Sequence, residues 1–316
     1  MHPRGPHRRA ALRGAAGAVV AVALGGCAWR GPSPSPPSLV VATGPPGAVY
    51  REIGAEIAEL LDARLPDTRV RSVETGASHD NLRLIEAGEA DLGLANLDSI
   101  LAEEVAESGP LRAIGRLYDS FVHLVVLDGS PVRGLDDLEG RRVSVGASGS
   151  GTGFTVDQIV EETGLEMEEV RLDQASSAEA LSRGEIDAMF SLTGLPTPAI
   201  AELAREHATR LIDLSDTAAV MAESHPVTYF PATIPGTTYE GVPACPTMSV
   251  PNLLLCPADL PDDLAHVVAD TVYTGARRIA ATRPEAAQIN VRTGISTGVV
   301  PLHPGAARWY RDNKPS

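Results

Sequence analysis

The chain has little of what a metalloprotein or a membrane-spanning protein requires. It holds three cysteines in 316 residues, and no histidine or cysteine pair has the spacing of a metal site. Its longest apolar run near the N-terminus, residues 14–26, is too short to cross a bilayer as a helix. Two Trp and four Phe in a chain that is 43% hydrophobic predict an aliphatic core. The sequence therefore predicts a globular domain without a metal site.

Positive charge is scarce as well. The chain has 26 Lys and Arg against 41 Asp and Glu, a formal net charge of −15. Residues 1–26 contain four arginines and no acid, so the chain from residue 27 onward has 22 basic against 41 acidic residues, or −19. A surface of that sign repels nucleic acid and anionic lipid, so neither is predicted as a direct partner.

The N-terminus has the order of an export signal. A basic start is followed by the apolar run 14–26, which ends in small residues directly before Cys27. This order resembles the lipobox of bacterial lipoproteins and predicts that residues 1–26 are removed and that Cys27 is acylated. Residues 27–38, rich in Pro and Ser, are predicted to be a flexible tether. The alternative is a buried N-terminal helix with an incidental cysteine.

One α/β pattern occurs twice in the chain. Each copy runs strand, small-residue loop, helix, strand, polar turn, short helix and strand. The first strands are predicted at 39–42 and 142–145, the loops at 43–47 and 146–153, and the first helices at 50–65 and 154–162. Two α/β units of like plan predict two lobes that face a shared cleft.

Both copies also contain the motif Gly-Glu-x-Asp. Gly88 and Gly184 are predicted to end the short helices, and Asp91 and Asp187 to lie in the turn into the next strand. The alternative is a carboxylate pair for acid–base chemistry, which would need both acids in one cleft.

Two apolar segments, 122–127 and 249–256, are predicted to be strands that join the lobes. If the helix predicted at 262–281 and the closing segment 301–311 pack on the first lobe, the chain crosses between the lobes twice. Two crossing strands form the hinge of receptors that close around a ligand. The predicted division is residues 39–122 plus 249–316 for the first lobe and 123–248 for the second.

Small polar residues lie where predicted strands end and helices begin. Helix N-termini present unpaired N–H groups and the positive end of the helix dipole, which suits a carboxylate. The residues predicted to bind ligand on this ground are Gly47, Tyr50, Ser78, Asn81, Asn96, Ser148, Ser150, Thr152 and Thr197. The alternative for each is ordinary helix capping. Asn96 follows a strand directly, at the carboxyl end where open α/β sheets bind their ligands.

Two cysteines, Cys245 and Cys256, remain after Cys27. An even number in an oxidising compartment permits a disulfide. Such a bridge requires the Pro-rich loop around Cys245 to fold back along the strand that Cys256 ends. The alternative is a buried thiol at Cys256.

Short motifs in a fixed order carry a family resemblance over most of the chain. They are Thr43-Gly44, Thr75-Gly76-Ala77-Ser78, Gly88-Glu89-Ala90-Asp91, Gly149-Ser150-Gly151-Thr152, Gly194-Leu195-Pro196-Thr197, Pro231-Ala232-Thr233-Ile234 and Pro301-Leu302-His303-Pro304. In these motifs the chain resembles the TAXI-type solute receptors of tripartite ATP-independent periplasmic (TRAP) transporters. The resemblance implies a two-lobed α/β fold of the periplasmic-binding-protein type (type II), with two crossing hinge strands.

The resemblance also implies a function. The expected protein is a non-enzymatic, extracytoplasmic receptor that needs no cofactor. It captures a small carboxylate such as glutamate, glutamine or a 2-oxo acid for a TRAP permease, with further ligand contacts at Thr43, Gly44, Gly194 and Thr233. Pro45 and Pro46 depart from the family's glycine-rich first loop and remove two backbone donors. The alternative function is a ligand-sensing lipoprotein that feeds a membrane signalling kinase.

Overall fold

Strands and helices alternate along the chain. A computed structural model describes residues 36–46, 48–102 and 109–313, which belong to one compact unit. The strands of these residues are β1 (Ser38–Ala42), β2 (Arg69–Val73), β3 (Leu92–Asn96), β4 (Leu111–Leu127), β5 (Arg142–Ser144), β6 (Glu168–Val170), β7 (Ala188–Thr193), β8 (Thr209–Leu211), β9 (Phe230–Ile234) and β10 (Cys245–Pro257).

Helices follow most of these strands. They are α1 (Val49–Arg64), α2 (Ser78–Glu86), α3 (Leu97–Ala102), α4 (Gly151–Thr163), α5 (Gln174–Ser182), α6 (Pro198–Glu206), α7 (Ser215–Ser224), α8 (Asp262–Thr282), α9 (Val291–Gly294) and α10 (Pro304–Asp312). Two 3-10 helices cover Leu135–Leu138 and Pro284–Gln288. The helix α1 forms because Ile53, Ile57 and Leu61 recur every four residues, and all three are fully buried.

The strands form one mixed sheet with the order β2-β1-β3-β10-β4-β7-β5-β6. We call β2, β1 and β3 with their helices the first half, and β7, β5 and β6 with theirs the second half. Strands within each half are parallel. The long strands β10 and β4 pair antiparallel with each other and with the adjacent half. The chain therefore enters the second half along β4 and returns along β10, as predicted.

The returning segment completes the first half. The helix α8 packs on α1, and α10 packs on α8. Trp309 of α10 and Val272 of α8 share one buried cluster with Leu39 of β1. Residues 262–281 and 301–311 thus pack against elements of the first half.

The repeated Gly-Glu-x-Asp motifs hold the same places in the two halves. Gly88 and Gly184 follow their helices with φ of 71° and 70°, a conformation that glycine adopts without strain. The Oδ2 atom of Asp91 accepts a hydrogen bond from the Val40 amide at 2.7 Å, and that of Asp187 from the Arg142 amide at 2.9 Å. Both acids thus accept from a backbone amide of a neighbouring strand.

Several element boundaries differ from the sequence prediction. The strand β4 begins at Leu111, eleven positions before the predicted start, because its first part pairs with β10. The helix α4 begins at Gly151 and not at residue 154, since the Ser150 hydroxyl caps it by accepting from the Gly153 amide. The polar turn of the second copy, expected at residues 175–177 before the short helix, instead lies inside α5, which Asp173 caps.

The disulfide between Cys245 and Cys256 does not form. Both cysteines are free, buried thiols at the two ends of β10. An extended strand rises about 3.3 Å per residue, so their Cα atoms lie roughly 35 Å apart. A disulfide allows about 7 Å. The alternative prediction, a buried thiol at Cys256, is confirmed, and Cys27 lies outside the described residues.

Candidate functional site

A small cavity lies between the two halves, where strands end and helices begin. The N-terminal ends of α1 and α2 from the first half and of α4 and α5 from the second half all contribute to its lining. The lining residues include Ala48, Val49, Tyr50, Gly76, Ala77, Asn96, Ser150, Gly151, Thr152, Asp173 and Gln174. Its volume is about 40 Å³, room for only a few water molecules.

The first half contributes a closed network of buried side chains. The Tyr50 hydroxyl donates to Asn252 Oδ1, which also accepts from Asn96 Nδ2 at 3.0 Å. The Ser78 hydroxyl donates to Asn96 Oδ1 at 3.0 Å, and Asn252 Nδ2 donates to the Ser120 hydroxyl at 2.7 Å. Burial raises the pKa of Tyr50 well above its usual range, so this phenol remains a donor.

The second half contributes hydroxyls that retain a free proton. The Thr152 hydroxyl accepts from the Leu192 amide at 3.0 Å, and the Ser150 hydroxyl accepts from the Gly153 amide at 3.1 Å. Each O–H is thereby left to donate into the cavity. The amides of Gly151 and Thr152 open α4, where no preceding helical carbonyl can accept from them.

Gly151 allows the halves to approach closely. A Cβ atom at this position would lie 2.6 Å from Asn96 Oδ1 and 2.8 Å from Ser78 Oγ. Any side chain here would therefore push the start of α4 away from the first half. The close approach brings the free donors of the second half against the closed network of the first.

Two acceptors on α5 complete the lining. Gln174 Nε2 donates to the Ser191 hydroxyl at 2.8 Å, while Gln174 Oε1 is buried without a partner among the described residues. Asp173 caps α5 by accepting from the Ser176 amide at 2.8 Å. Among the described lining residues none is Lys, Arg or His, and Asp173 alone is charged.

This arrangement favours a small anion that also carries a hydrogen-bond donor. Four helix N-termini place positive dipole ends around the cavity, and amide and hydroxyl donors can replace the water around a carboxylate. The acceptors of α5 suit an ammonium or amide group of the same ligand.

The predicted site residues fall into several groups. The residues that line the cavity are Tyr50, Asn96, Ser150 and Thr152. The Ser78 hydroxyl does not line it but donates a hydrogen bond to Asn96 Oδ1. Both polar groups of the Asn81 side chain are engaged in the fold. Nδ2 donates to the Thr43 and Leu94 carbonyls, and Oδ1 accepts from the Thr75 hydroxyl.

The remaining predicted residues do not line the cavity. Thr43 donates twice to the Val73 carbonyl, and Thr197 bonds to the Gly194 carbonyl and the Tyr239 hydroxyl. Gly44 packs against the Tyr50 side chain. The side chains of Ser148 and Thr233 are exposed, and Gly47 lies outside the described residues.

Sequence reasoning missed Asn252 and Gln174. Asn252 is a lone amide within the apolar strand 249–256, which is the signal that could have revealed it. Gln174 is the first residue of α5, as Ser78 is of α2, so the repeat itself pointed to the position.

Histidines contribute to the framework. His123 Nδ1 contacts the Phe121 carbonyl at 2.9 Å and Nε2 contacts the Tyr239 hydroxyl at 2.8 Å. Burial lowers the pKa of His123 to about 4, so this imidazole is neutral at pH 7.

Within residues 36–46, 48–102 and 109–313, no group of three or more His, Cys, Asp or Glu could hold a metal ion. No helix in these ranges is long and apolar enough to cross a membrane.

Comparison with known proteins assigns the family. Residues 41–313, most of the chain, match the NMT1-like family. The chain belongs to the NMT1-like family. The match assigns the chain to this family, and membership of the TAXI type within the solute receptors stays a prediction.

Solved structures share the fold of this NMT1-like protein. A Streptococcus mutans structure, from work on glutathione import through GshT and the cystine ABC importer TcyBC, is 12% identical with a TM-score of 0.54, over 80% of this chain and 96% of that one. A Listeria monocytogenes protein assigned as an L-cystine ABC transporter is 15% identical with a TM-score of 0.53, over 80% and 98%. The predicted two-lobed α/β fold of the periplasmic-binding-protein type is confirmed.

Proposed function

We propose that this NMT1-like protein is an extracytoplasmic solute receptor that binds a small carboxylate and delivers it to a TRAP permease. The observation that carries the proposal is the convergence of four helix N-termini on one cavity without a Lys or Arg among its described lining residues. Such a site neutralises an anion with dipoles and hydrogen bonds. It binds and releases the solute unchanged, so the function is not enzymatic.

Binding requires the halves to separate and close again. A cavity of about 40 Å³ is too small to hold a solute such as glutamate. The halves must therefore separate to admit the solute and close less tightly around it than in this structure. We assign residues 39–122 plus 249–316 to one lobe and 123–248 to the other, with β4 and β10 as the hinge. The affinity then comes from contacts that only the closed form makes.

The acceptors of α5 favour an amino acid over a 2-oxo acid. Gln174 Oε1 is buried and has no partner in the part of the chain that the structure describes, and a buried acceptor left unpaired weakens binding. An ammonium group supplies the missing donor, whereas a 2-oxo group supplies another acceptor. We therefore infer that glutamate or glutamine is preferred over the matching 2-oxo acid.

The test is a thermal-shift screen followed by calorimetry. L-Glutamate, L-glutamine and 2-oxoglutarate are compared, because a solute that binds only the folded state raises the melting temperature. We expect L-glutamate to bind about tenfold or more tightly than 2-oxoglutarate. Gln174→Met should remove this preference, and Gln158→Met on α4 should preserve it. Absence of a shift with every small carboxylate would contradict the receptor function.

Membrane anchoring through Cys27 is part of the same proposal. The acylated cysteine and the tether 27–38 would hold the receptor near its permease. Cys27→Ser should release the protein from membranes or leave it as an unprocessed precursor. Normal processing with unchanged membrane fractionation would contradict the anchor.

A further inference from the structure

A buried carboxylate bridges the two halves outside the ligand cavity. Asp98 is the second residue of α3 in the first half, and its side chain is 3% exposed. Its Oδ2 atom accepts from the Thr155 hydroxyl of α4 at 2.5 Å and from the Tyr229 hydroxyl at 3.1 Å. Both donors belong to the segment between β5 and β9, on the far side of the interface. None of these three residues lines the cavity.

The surroundings of Asp98 are closely packed. The Ser99 amide donates to Oδ1 at 2.7 Å. The titratable groups that act on the carboxylate are His79 of α2, Tyr50 of α1 and Tyr229. His79 also contacts the second half, because its ring lies 5.3 Å from that of Phe154 on α4.

We propose that Asp98, with Thr155 and Tyr229, is the latch that holds the receptor closed. The proposal rests on the proposed solute-receptor function, since a latch requires lobes that open and close. Thr155 and Asp98 belong to opposite halves, and Tyr229 belongs to the segment 123–248 that we assign to the second lobe. These hydrogen bonds therefore exist only in the closed form. The latch therefore sets the balance between open and closed forms without touching the solute, which makes Asp98 a positioning residue.

The latch also links closure to protons. Burial raises the pKa of Asp98, against the opposing effects of its hydrogen bonds and of His79. In the open form the carboxylate is solvated and returns toward its ordinary pKa. The closed form therefore binds protons more readily, and closure is favoured as the pH falls toward the raised pKa.

The test measures the distance between the halves directly. Spin labels are attached to Glu59→Cys on α1 and Glu202→Cys on α6, both exposed positions, in the full chain. Double electron–electron resonance is recorded without solute and with L-glutamate. We expect Thr155→Val to shift the open-to-closed ratio toward the open form by about tenfold or more, since a hydrogen bond to a charged group is lost.

Matched variants separate a latch from a general structural role. Thr155→Ser keeps the hydroxyl and should restore the parent distribution. Thr163→Val makes the same change on the same helix and should have no effect, because within the described ranges that hydroxyl bonds only to the Ile159 carbonyl. Tyr229→Phe should open the protein in the same direction as Thr155→Val. Identical distributions for the parent and Thr155→Val, or a parent without any closed component, would overturn the latch.

The pH profile provides a second readout. In the parent the closed fraction should rise as the pH falls below 7, and Asp98→Asn should remove this rise while keeping the interface hydrogen-bonded. A rise that persists in Asp98→Asn would overturn the proton linkage. Because the labels report closure whether or not L-glutamate binds, failure of the latch is distinguishable from failure of the receptor function, which the solute screen tests.

Discussion

The two halves of the sheet repeat one framework but hold their polar groups differently. In both, the aspartate that follows the short helix, Asp91 or Asp187, accepts from a backbone amide of a neighbouring strand. In the first half, Tyr50 and Asn96 bond to other side chains of the protein. In the second half, the Thr152 hydroxyl keeps a free donor. One half therefore presents a fixed surface, and the other presents the groups that a solute can satisfy.

This difference suggests that the two halves contribute to solute binding in different ways. A surface whose hydrogen bonds are already made does not reorganise when a solute arrives, so it sets the shape of the site. Free donors at the start of α4 can pair with a carboxylate only when the halves meet. The four predictions below test this comparison, beginning with the largest expected effect.

Removing the centre of the fixed network should destabilise the protein most. Asn252→Ala leaves the Tyr50 hydroxyl and the Asn96 amide without their shared acceptor, and removes the donor to Ser120. Each buried polar group without a partner costs about 1–3 kcal/mol, so the free energy of unfolding should fall by about 3–4 kcal/mol.

Urea denaturation measures this change. Asn313→Ala is the control, since Asn313 is exposed and, among the described residues, bonds only to the Trp309 carbonyl. It should change the free energy of unfolding by less than about 0.5 kcal/mol. Equal effects of the two variants would show that the first-half network is not a stabilising unit.

Acid should break a second network, which lies at the hinge side of the second half. His123 bonds to Tyr239, whose hydroxyl accepts from the Thr197 amide. The pKa of His123 is lowered from 6.5 to about 4 by burial. The folded state thus binds fewer protons than the unfolded state. The stabilisation from neutral His123 is fully present above pH 6.5 and should decline by about 3 kcal/mol toward pH 4.

Unfolding free energies at pH 7 and pH 4.5, in the parent and in His123→Gln, measure this decline. The glutamine cannot be protonated, so the pH dependence of the variant should be smaller than that of the parent. A variant with the same decline would assign the acid sensitivity to other groups.

The free donors of the second half should matter for affinity. Thr152→Val removes a hydroxyl of the cavity lining, and should weaken carboxylate binding about ten- to a hundredfold. It also leaves the buried Leu192 amide without its acceptor, so the free energy of unfolding should fall by about 1–3 kcal/mol. Thr152→Ser should retain most of the affinity. Calorimetry with the best carboxylate of the solute screen checks both variants. Unchanged affinity in Thr152→Val would place the carboxylate elsewhere.

Much of the fold could be predicted because local patterns determine it. The spacing of Ile53, Ile57 and Leu61 specifies α1, and Gly88 and Gly184 mark equivalent helix ends. The first part of β4 escaped prediction because Arg112 and Arg116 interrupt its apolar pattern. Its burial depends on pairing with β10, more than a hundred residues away.

The site could be predicted only in part for a related reason. Tyr50, Asn96, Ser150 and Thr152 line the cavity because strand ends and helix starts share one edge of the sheet. Sequence alone does not show which polar side chains already form hydrogen bonds within the fold and so cannot bind a ligand. Asn81 has the residue type of a ligand contact, yet its amide joins two backbone carbonyls.

The smallest effect is expected at two predicted site residues that the fold places on the surface. Ser148 lies in the loop before α4 with an exposed side chain, and Thr233 is exposed on β9, where it pairs with Pro246. An exposed hydroxyl bonds to water, so its removal leaves no buried protein group without a partner. Neither the free energy of unfolding nor the free energy of binding should therefore change by more than about 0.5 kcal/mol.

Calorimetry and urea denaturation of Ser148→Ala and Thr233→Ala check this expectation beside Thr152→Val. A tenfold affinity loss in Ser148→Ala would mean that the loop before α4 turns inward when the halves close, so that the donors extend beyond Thr152. The same loss in Thr233→Ala would move the solute toward β9, and the contrast between a fixed first half and a donating second half would no longer describe the site.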